Sequence, residues 1–479
     1  MRRGTVVWTG IAGLVLALAV PTTGQAAPTP NTVSSDVFDN FLARSLESTG
    51  LPGVSAVITR HGELVHAAGY GHDSTGAAVT ERTPMRIASL SKAFTATAVL
   101  TLVEDGAIAL DRPVTEQLPE FRIDDPRADR ITVRHLLNQT SGLADPTVDI
   151  TATESAASLE QYTATLRTAR LAADPGTRWA YCNVNYNVAA RLVEVASGQP
   201  FSDYLRDRIF GPLGMTGSAV DDDIVTPADG FISIFGLWIA RPELPGFLDD
   251  SGSGGVVTDA ADMGRWLIAQ SGDGPPLVGA ESLATLHAPS PVRNYGMGWG
   301  SENTDGAPLL THSGNLFTYT SAAALDPSTG YGFAVLVNSA ALQDDAYTIL
   351  GGLVALSRGE SPEVPGGDRQ WFEAGLAATA VGALGLGIAG VVRSRRWAIR
   401  HRAVRWWSVA LRSIPALMPL MLLAGLPQIL SLLMNGRTVT WAQLTYFPAP
   451  LTITLVTCAI AGAATLTARL LRRSLSSIR

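Results

Sequence analysis

The chain has 479 residues, enough for one large or two ordinary domains, and 46% of them are hydrophobic, which is more than a soluble enzyme usually needs. Residues 371–479 contain twelve arginines and one acidic residue, which leaves residues 1–370 with a net charge of −18. A region this acidic argues against nucleic acid as a partner.

The first 26 residues have the pattern of a secretory signal peptide. Arg2 and Arg3 precede an apolar run over residues 11–20, and small residues suited to cleavage follow around Ala26. An uncleaved anchor is the alternative interpretation. Both interpretations predict that the following segment is exported.

Residues 32–356 have the pattern of one mixed α/β (α+β) domain. A helix is predicted over residues 37–48, followed by a strand pair, Gly53–Arg60 and Glu63–Gly71, with a turn at His61 and Gly62 between them. Near the end, three segments with alternating apolar residues predict adjacent antiparallel strands at residues 309–313, 319–325 and 331–338. Strands at both ends of a largely helical middle predict an antiparallel sheet covered by helices, with an all-helical part.

A serine and a lysine, Ser89 and Lys92, lie three residues apart at the start of a helix predicted over residues 89–104. Residues at this spacing share a helix face, so the Lys92 amine can take the proton of the Ser89 hydroxyl. The pattern alone is common, but Lys92 is the single lysine among 35 basic residues. Arginine stays protonated, whereas a desolvated lysine can act as a base. We therefore interpret Ser89 as a nucleophile rather than Lys92 as an accidental surface lysine.

A second segment offers another proton-handling group. Tyr181 and Asn183 are two residues apart, so their side chains face the same way in an extended segment. A tyrosine beside a desolvated lysine can be tuned towards proton transfer. The alternative is that Tyr181 is a half-buried aromatic residue before the helix predicted over residues 187–197.

A third segment is the run Thr311-His312-Ser313-Gly314-Asn315, at the edge of a predicted strand. The glycine would let a substrate approach the backbone closely, and the serine beside it would point a hydroxyl at that substrate. This segment therefore predicts a wall of the substrate site.

In this order, the three motifs resemble those of the serine β-lactamase and penicillin-binding protein superfamily, in particular the branch of class C β-lactamases, D-alanyl-D-alanine carboxypeptidases and esterases. The resemblance covers about residues 33–356. It extends to further matching segments at residues 135–143, 175–186, 253–258, 295–300 and 325–327.

The resemblance implies a role for each catalytic residue. Ser89 would be the acylated nucleophile, and Lys92 and Tyr181 would share the general base and acid roles. The backbone amides of Ser89 and Asn315 would form the oxyanion hole. No metal or cofactor enters this mechanism.

The resemblance also implies the substrate-binding residues. Asn183 would contact the substrate amide, and His312, Ser313 and Gly314 would line the site. His312 stands where β-lactamases usually have lysine, which weakens the fixed positive charge near a substrate carboxylate. Thr318 stands where the family commonly has glycine. Ser313 keeps a hydroxyl where many esterases have glycine, which favours a carboxylate-bearing peptide as substrate.

The C-terminal part has the pattern of a membrane region. Residues 357–370 predict an exposed linker, and residues 371–479 contain three predicted spans, at residues 374–392, 413–434 and 446–468. Arginine clusters lie between the first two spans and after the third, whereas the segment between the second and third spans has only Arg437. The positive-inside rule then puts both clusters in the cytoplasm and the hydrolase domain outside the cell membrane.

These observations predict an exported, membrane-anchored serine hydrolase that acts through a Ser89 acyl-enzyme, with D-Ala-D-Ala-type peptides as the leading substrates. Esterase or β-lactamase activity on the same scaffold is the first alternative, and acyl transfer to an amine is another. A membrane-bound penicillin-type receptor without turnover is the alternative of a different class. The expected partners are a cell-wall peptide, a β-lactam or an ester, and the membrane; nucleic acid and metal are not expected.

Overall fold

A computed structural model describes residues 33–477, except positions 221, 223, 249, 305 and 306. The predicted signal peptide at residues 1–26 lies outside the described residues. Below, the globular region means the described residues of 33–357, and the C-terminal helical region means residues 368–477.

The secondary structure elements are numbered in chain order. The helices of the globular region are α1 (Ser35–Thr49), α2 (Ser91–Glu104), α3 (Val114–Gln117), α4 (Val133–Leu137), α5 (Ile150–Glu154), α6 (Leu159–Thr165), α7 (Asn183–Ser197), α8 (Phe201–Leu205), α9 (Gly211–Leu213), α10 (Ala260–Gln270), α11 (Ala280–His287) and α12 (Asp345–Ser357). The C-terminal helices are α13 (Asp368–His401), α14 (Trp406–Ala424), α15 (Leu426–Leu433) and α16 (Ala449–Ser477). The strands are β1 (Gly53–Arg60), β2 (Glu63–Gly71), β3 (Met85–Arg86), β4 (Gly230–Ile234), β5 (Leu237–Arg241), β6 (Val257–Thr258), β7 (Gly300–Thr304), β8 (Ala307–Asn315), β9 (Thr320–Asp326), β10 (Tyr331–Val337) and β11 (Ser339–Ala340). Short 3₁₀ turns cover Ala88–Leu90, Pro126–Arg130, Asp145–Thr147, Leu166–Thr168 and Gln443–Thr445, and a π turn covers Arg206–Phe210.

An antiparallel sheet in the order β2-β1-β10-β9-β8-β7 forms the centre of the globular region. The strands near both ends of this region pair directly, with Val54 of β1 opposite Val337 of β10. Side chains alternate between the two faces. Phe333 and Val335 pack against α1 and α12 on one face, whereas Leu336 belongs to the larger core on the other face. The helices therefore cover both faces of the sheet.

Helix α2 is the central helix of the larger core. Every residue from Ser91 to Leu102 is buried, so the helix has no solvent-facing polar stripe. A helix that is enclosed on all sides needs apolar or internally bonded polar residues around its whole circumference. Thr95 and Thr97 meet this need, because the Thr95 hydroxyl donates to the Gly252 carbonyl of a neighbouring loop and the Thr97 hydroxyl donates to the Ala93 carbonyl one turn earlier.

The predicted fold class is confirmed, including the antiparallel sheet, its covering helices and the following long apolar helices. Two local details differ from prediction. Ser89 lies in a 3₁₀ turn before α2, because Ala88 has a φ of 48° and the α-helix cannot extend back through it. Helix α7 begins at Asn183 rather than residue 187, because the buried Asn185 side chain is held inside the first turn by hydrogen bonds with Gln139 and Ser141.

Among the described residues, three helices (α13, α14 and α16) are long and apolar enough to cross a membrane. The second predicted span is interrupted at Gly425, so that α14 and the short α15 form it together. At the end of the helices away from the globular region, Arg472 and Arg473 donate to the carbonyls of Val391 and Val404. The two arginine-rich segments therefore lie at the same end.

The first turns of α13 pack on the globular region. Glu373 accepts hydrogen bonds from Ser233 Oγ at 2.7 Å and from the Gly236 amide at 2.6 Å. Arg369 is 3% exposed, although it belongs to the segment predicted as an exposed linker, and its guanidinium lies 4.3 Å from the ring centroid of Trp238. The start of α13 is thus a docked element.

Candidate active site

Ser89 lies where the end of β8 passes over the turn before α2. A Cβ on Gly314 would come within 2.3 Å of the Ile87 carbonyl oxygen and 3.0 Å of the Ala88 side chain. Only glycine therefore allows the strand to pack this closely on the turn. This approach leaves Ser89 half-buried at the edge of a cavity.

Lys92, one turn further along, is fully buried. Its Nζ lies 3.0 Å from Ser89 Oγ, 3.0 Å from Asn183 Oδ1 and 2.7 Å from the Ser253 carbonyl oxygen. Burial lowers the pKa of Lys92 well below its usual value, and the nearby positive charge of Arg437 lowers it further. The structure thus places a readily deprotonated amine in contact with the predicted nucleophile.

The carbonyl that contacts Lys92 belongs to a loop held by buried hydrogen bonds. The Ser253 amide donates to Asn187 Oδ1 of α7 at 3.0 Å. The Val256 amide donates to Ser91 Oγ of α2 at 3.0 Å. Because two helices hold this loop, the acceptor opposite Lys92 is fixed by the core of the domain.

Tyr181 and Asn183 both lie beside Lys92, and Asn183 is the first residue of α7. The Tyr181 ring centroid lies 4.9 Å from Lys92 Nζ. Burial raises the pKa of Tyr181 to about 12, while hydrogen bonding with Ser89 opposes this shift. Gln139 fixes the backbone of this segment, because its Oε1 accepts a hydrogen bond from the Cys182 amide at 3.1 Å.

His312 is buried in the same cavity wall. Its Nδ1 lies 2.8 Å from the Ser313 carbonyl oxygen, which can only accept, so Nδ1 carries the proton. Its Nε2 then accepts from the Tyr295 hydroxyl at 3.1 Å. Burial lowers the pKa of His312 to about 4, with Lys92 adding to this effect. His312 is therefore neutral at physiological pH.

The remaining predicted residues follow along β8. Ser313 and Asn315 are exposed at the cavity, and Ser89 borders the same cavity from the opposite turn. After the strand, the Phe317 and Thr318 amides donate to Glu243, and the Thr318 hydroxyl donates to it as well, at 2.7 Å. This contact explains the threonine at position 318, because its hydroxyl helps hold the loop after β8.

The cavity has a volume of about 1530 Å³ and includes residues that the sequence did not associate with the site. Arg437, from the segment between α15 and α16, forms an ion pair with the buried Asp145, with its Nε 3.2 Å from Asp145 Oδ2. The same guanidinium donates to the Tyr181 carbonyl oxygen at 3.4 Å and lies 5.3 Å from the Tyr181 ring centroid. The C-terminal helical region therefore contributes directly to the cavity.

Sequence reasoning missed Asp145, Tyr295 and the position of Arg437. One signal was available, because Arg437 is the only charged residue between the second and third predicted spans. That signal supported only a topology. No spacing connects a residue at position 437 with one at position 145, so only the tertiary structure reveals the pair.

The chain is similar to several known proteins. The Beta-lactamase family matches residues 38–356. "Protein flp" of Staphylococcus aureus (strain COL) is 28% identical over 327 residues, which span 64% of this chain and 63% of that protein. "Penicillin-binding protein 4" of Amycolatopsis lactamdurans is 30% identical over 313 residues, covering 60% of this chain and 81% of the relative. The octameric penicillin-binding protein homologue from Pyrococcus abyssi superimposes with a TM-score of 0.59 and 26% identity, over 68% of this chain and 78% of that chain.

The chain therefore belongs to the Beta-lactamase family, and the resemblance to the serine β-lactamase and penicillin-binding protein superfamily is confirmed. The family is one of serine hydrolases that act on small-molecule or peptide substrates.

Proposed function

We propose that the protein is an exported, membrane-anchored serine hydrolase that forms an acyl-enzyme on Ser89, with peptides of the D-Ala-D-Ala type as its substrates. Lys92 and Tyr181 act as the general base and acid. The backbone amides of Ser89 and Asn315 stabilise the oxyanion.

The observation that carries this proposal is the set of contacts around Lys92 Nζ. Two of its three neighbours, Asn183 Oδ1 and the Ser253 carbonyl oxygen, can only accept hydrogen bonds. A neutral amine has two N–H groups, which these two oxygens satisfy, so its lone pair faces Ser89 Oγ at 3.0 Å. The low pKa of Lys92 favours this neutral form. Lys92 is therefore arranged to receive the proton of the attacking hydroxyl.

The proposed reaction follows from these positions. Ser89 Oγ attacks the substrate carbonyl carbon while its proton passes to the amine of Lys92. As the bond from the carbonyl carbon to the leaving nitrogen or oxygen breaks, the leaving atom takes the proton of Tyr181, whose high pKa keeps the phenol protonated near neutral pH. The Lys92 ammonium returns a proton to Tyr181. Water then attacks the acyl carbon and gives a proton to Lys92, the bond to Ser89 Oγ breaks, Ser89 Oγ takes that proton back, and the acid product leaves.

Two features support a D-Ala-D-Ala-type peptide as substrate. Ser313 presents a hydroxyl to the cavity, where a substrate carboxylate or amide can bind it. The chain is also 30% identical to a protein named as a penicillin-binding protein. Asn183, His312 and Gly314 line the same substrate site.

One observation favours an ester as the second candidate substrate. His312 is neutral because burial lowers its pKa to about 4, so it supplies no fixed positive charge for a substrate carboxylate. An uncharged ester does not need such a charge. A β-lactam remains a further candidate on the same scaffold.

We also propose the orientation in the membrane. The two arginine-rich segments lie at one end of the C-terminal helices and the globular region packs at the other, so the positive-inside rule puts the globular region outside the cell. A cysteine or epitope tag placed between residues 393 and 405 should be inaccessible on intact cells. Labelling of that tag from outside would reverse the orientation.

The function is tested with the full chain in lipid nanodiscs. A D-Ala-D-Ala peptide, a chromogenic β-lactam and a short nitrophenyl ester are offered to the wild-type protein and to Ser89→Ala, and mass spectrometry maps any acyl group. We expect turnover and an acyl group on Ser89, both lost in the variant. Turnover that survives Ser89→Ala would exclude the mechanism, and stable acylation without turnover would indicate a receptor.

A further inference from the structure

The segment joining α15 to α16, residues 434–448, is called the span loop below. It is held on the globular region at a second place besides Arg437. Arg241 of β5 donates to the Thr445 carbonyl oxygen at 2.7 Å, and its guanidinium lies 3.5 Å from the Tyr446 ring centroid. Phe317, just beyond β8, packs on Phe447 with ring centroids 6.3 Å apart. The span loop is therefore docked on the globular region at two places.

The docked segment gives the cavity a wall that differs from its opposite side. Ser89, Tyr181 and His312 supply polar groups from the globular region. The C-terminal helical region supplies four apolar side chains, which are Leu430, Met434, Val439 and Phe447, beside the polar Arg437, Thr438 and Gln443. A short D-alanyl peptide has no group that needs such a wall.

The apolar wall is continuous with the candidate membrane spans. Leu430 lies in α15, which follows α14 after one residue, and Phe447 lies two residues before the first residue of α16. The outer faces of the spans are apolar and exposed, as with Met421 of α14 and Ile460 of α16. These faces need hydrocarbon around them, so the wall begins where the membrane surface would lie.

We propose that the apolar wall binds the acyl chain of a membrane amphiphile whose amide or ester bond is cleaved at Ser89. This inference rests on the proposed function and names the substrate class of that site. The chain of a lipid-like substrate would pass from the bilayer along the wall, and its polar group would reach the serine. Each buried methylene should then increase kcat/KM about fourfold until the wall is filled.

The test uses the full chain in nanodiscs and two matched substrate pairs. N-acetyl- and N-dodecanoyl-D-alanyl-D-alanine differ only in chain length, as do nitrophenyl acetate and nitrophenyl dodecanoate. The measured quantity is the ratio of kcat/KM for the long chain to that for the short chain. We expect the ratio to exceed about tenfold in at least one pair, since several methylenes would be buried.

Two double variants locate the effect. Met434→Gln with Phe447→Ser changes the wall, whereas Leu433→Gln with Trp441→Ser makes similar changes at exposed neighbours outside the cavity. We expect the wall variant to lower the chain-length ratio at least about tenfold and the control variant to change it less than about twofold. Equal ratios in the wild type, or equal effects of the two variants, would overturn the inference.

Failure of the inference can be distinguished from failure of the proposed function. Ser89-dependent turnover of the acetyl substrates without any chain-length preference would exclude a membrane amphiphile as the substrate. It would leave the proposed function in place. Absence of turnover on all four substrates would remove the proposed function. The binding of the acyl chain by the wall would then be decided separately, by the affinity of N-dodecanoyl-D-alanine for Ser89→Ala, which should weaken at least about tenfold in the wall variant and stay within about twofold in the control. Equal affinity in both would overturn it.

Discussion

The globular region and the C-terminal helical region satisfy their apolar residues in different ways. In the globular region, α2 is enclosed on all sides and even its lysine is fully buried. In the C-terminal helical region, α13 runs for 34 residues and leaves Leu386 76% exposed and Val392 71% exposed. The globular region is stabilised by burial of apolar side chains in its own core. The exposed apolar side chains of the C-terminal helical region would instead be covered by the hydrocarbon of a bilayer.

The two regions accordingly make different contributions to the cavity. In the proposed mechanism, the globular region positions the groups that transfer protons, because a low-dielectric core is needed to lower the pKa of a lysine. The C-terminal helical region adds Arg437 and the apolar wall from a segment outside that core. If this division is correct, variants in the two regions should affect the enzyme to very different extents.

The largest effect is expected from Lys92→Arg, which keeps a positive charge but cannot lose its proton. We expect kcat/KM to fall by at least about 10³-fold, towards the upper end of general-base contributions. Stopped-flow acylation measures the change, and Lys92→Met separates loss of the base from the larger size of arginine. Acylation at wild-type rate in both variants would contradict the role of Lys92.

Tyr181→Phe should have the next largest effect. Removing the phenol should lower kcat/KM about 10²-fold while leaving the ring beside Lys92 in place. Tyr204→Phe is the control, because Tyr204 is buried and its hydroxyl bonds to Thr101, outside the cavity. Equal losses in the two variants would indicate a packing effect rather than proton transfer.

Arg437→Gln tests the contribution of the C-terminal helical region. The positive charge of Arg437 lowers the pKa of Lys92, so its removal should raise that pKa and move the acidic limb of the kcat/KM profile to higher pH. Asp145, then buried without its partner, shifts the limb in the same direction. We expect kcat/KM near neutral pH to fall about tenfold, since Tyr181 also loses a supporting group. The exposed Arg44→Gln is the control. If the acidic limb of the kcat/KM profile of Arg437→Gln lies at the same pH as in the wild type, Arg437 does not influence the pKa of Lys92.

The smallest effect is expected where α13 docks. Glu373→Gln leaves the buried Arg369 with a weaker partner and should destabilise the docked state by about 1–3 kcal/mol. Thermal inactivation in nanodiscs should therefore occur a few degrees lower, with kcat/KM at low temperature nearly unchanged. The exposed Glu363→Gln should leave the inactivation temperature in place. The same temperature for both would show that this contact does not stabilise the enzyme.

Local patterns in the sequence were sufficient to predict an antiparallel sheet and two groups of adjacent strands, one near each end of the globular region. Alternation identified β8, β9 and β10, and the turn at His61 and Gly62 defined the hairpin of β1 and β2. Such patterns are readable because they arise from the repeat of the backbone and from conformations that few residues adopt. The lone lysine added a chemical signal, since a sequence that otherwise uses arginine has a specific need at position 92.

The tertiary structure alone decided which distant residues share the cavity. Asp145 and Arg437 are 292 positions apart, and nothing in either local sequence predicts that they meet. From the sequence, Arg437 is only one residue in a charge balance, and the three spans predict only an anchor. Packing brings the span loop over Tyr181, because long-range contacts depend on the shape of two folded surfaces rather than on spacing along the chain. Ser89 and Lys92 could be identified from a four-residue pattern, but the wall opposite them could not.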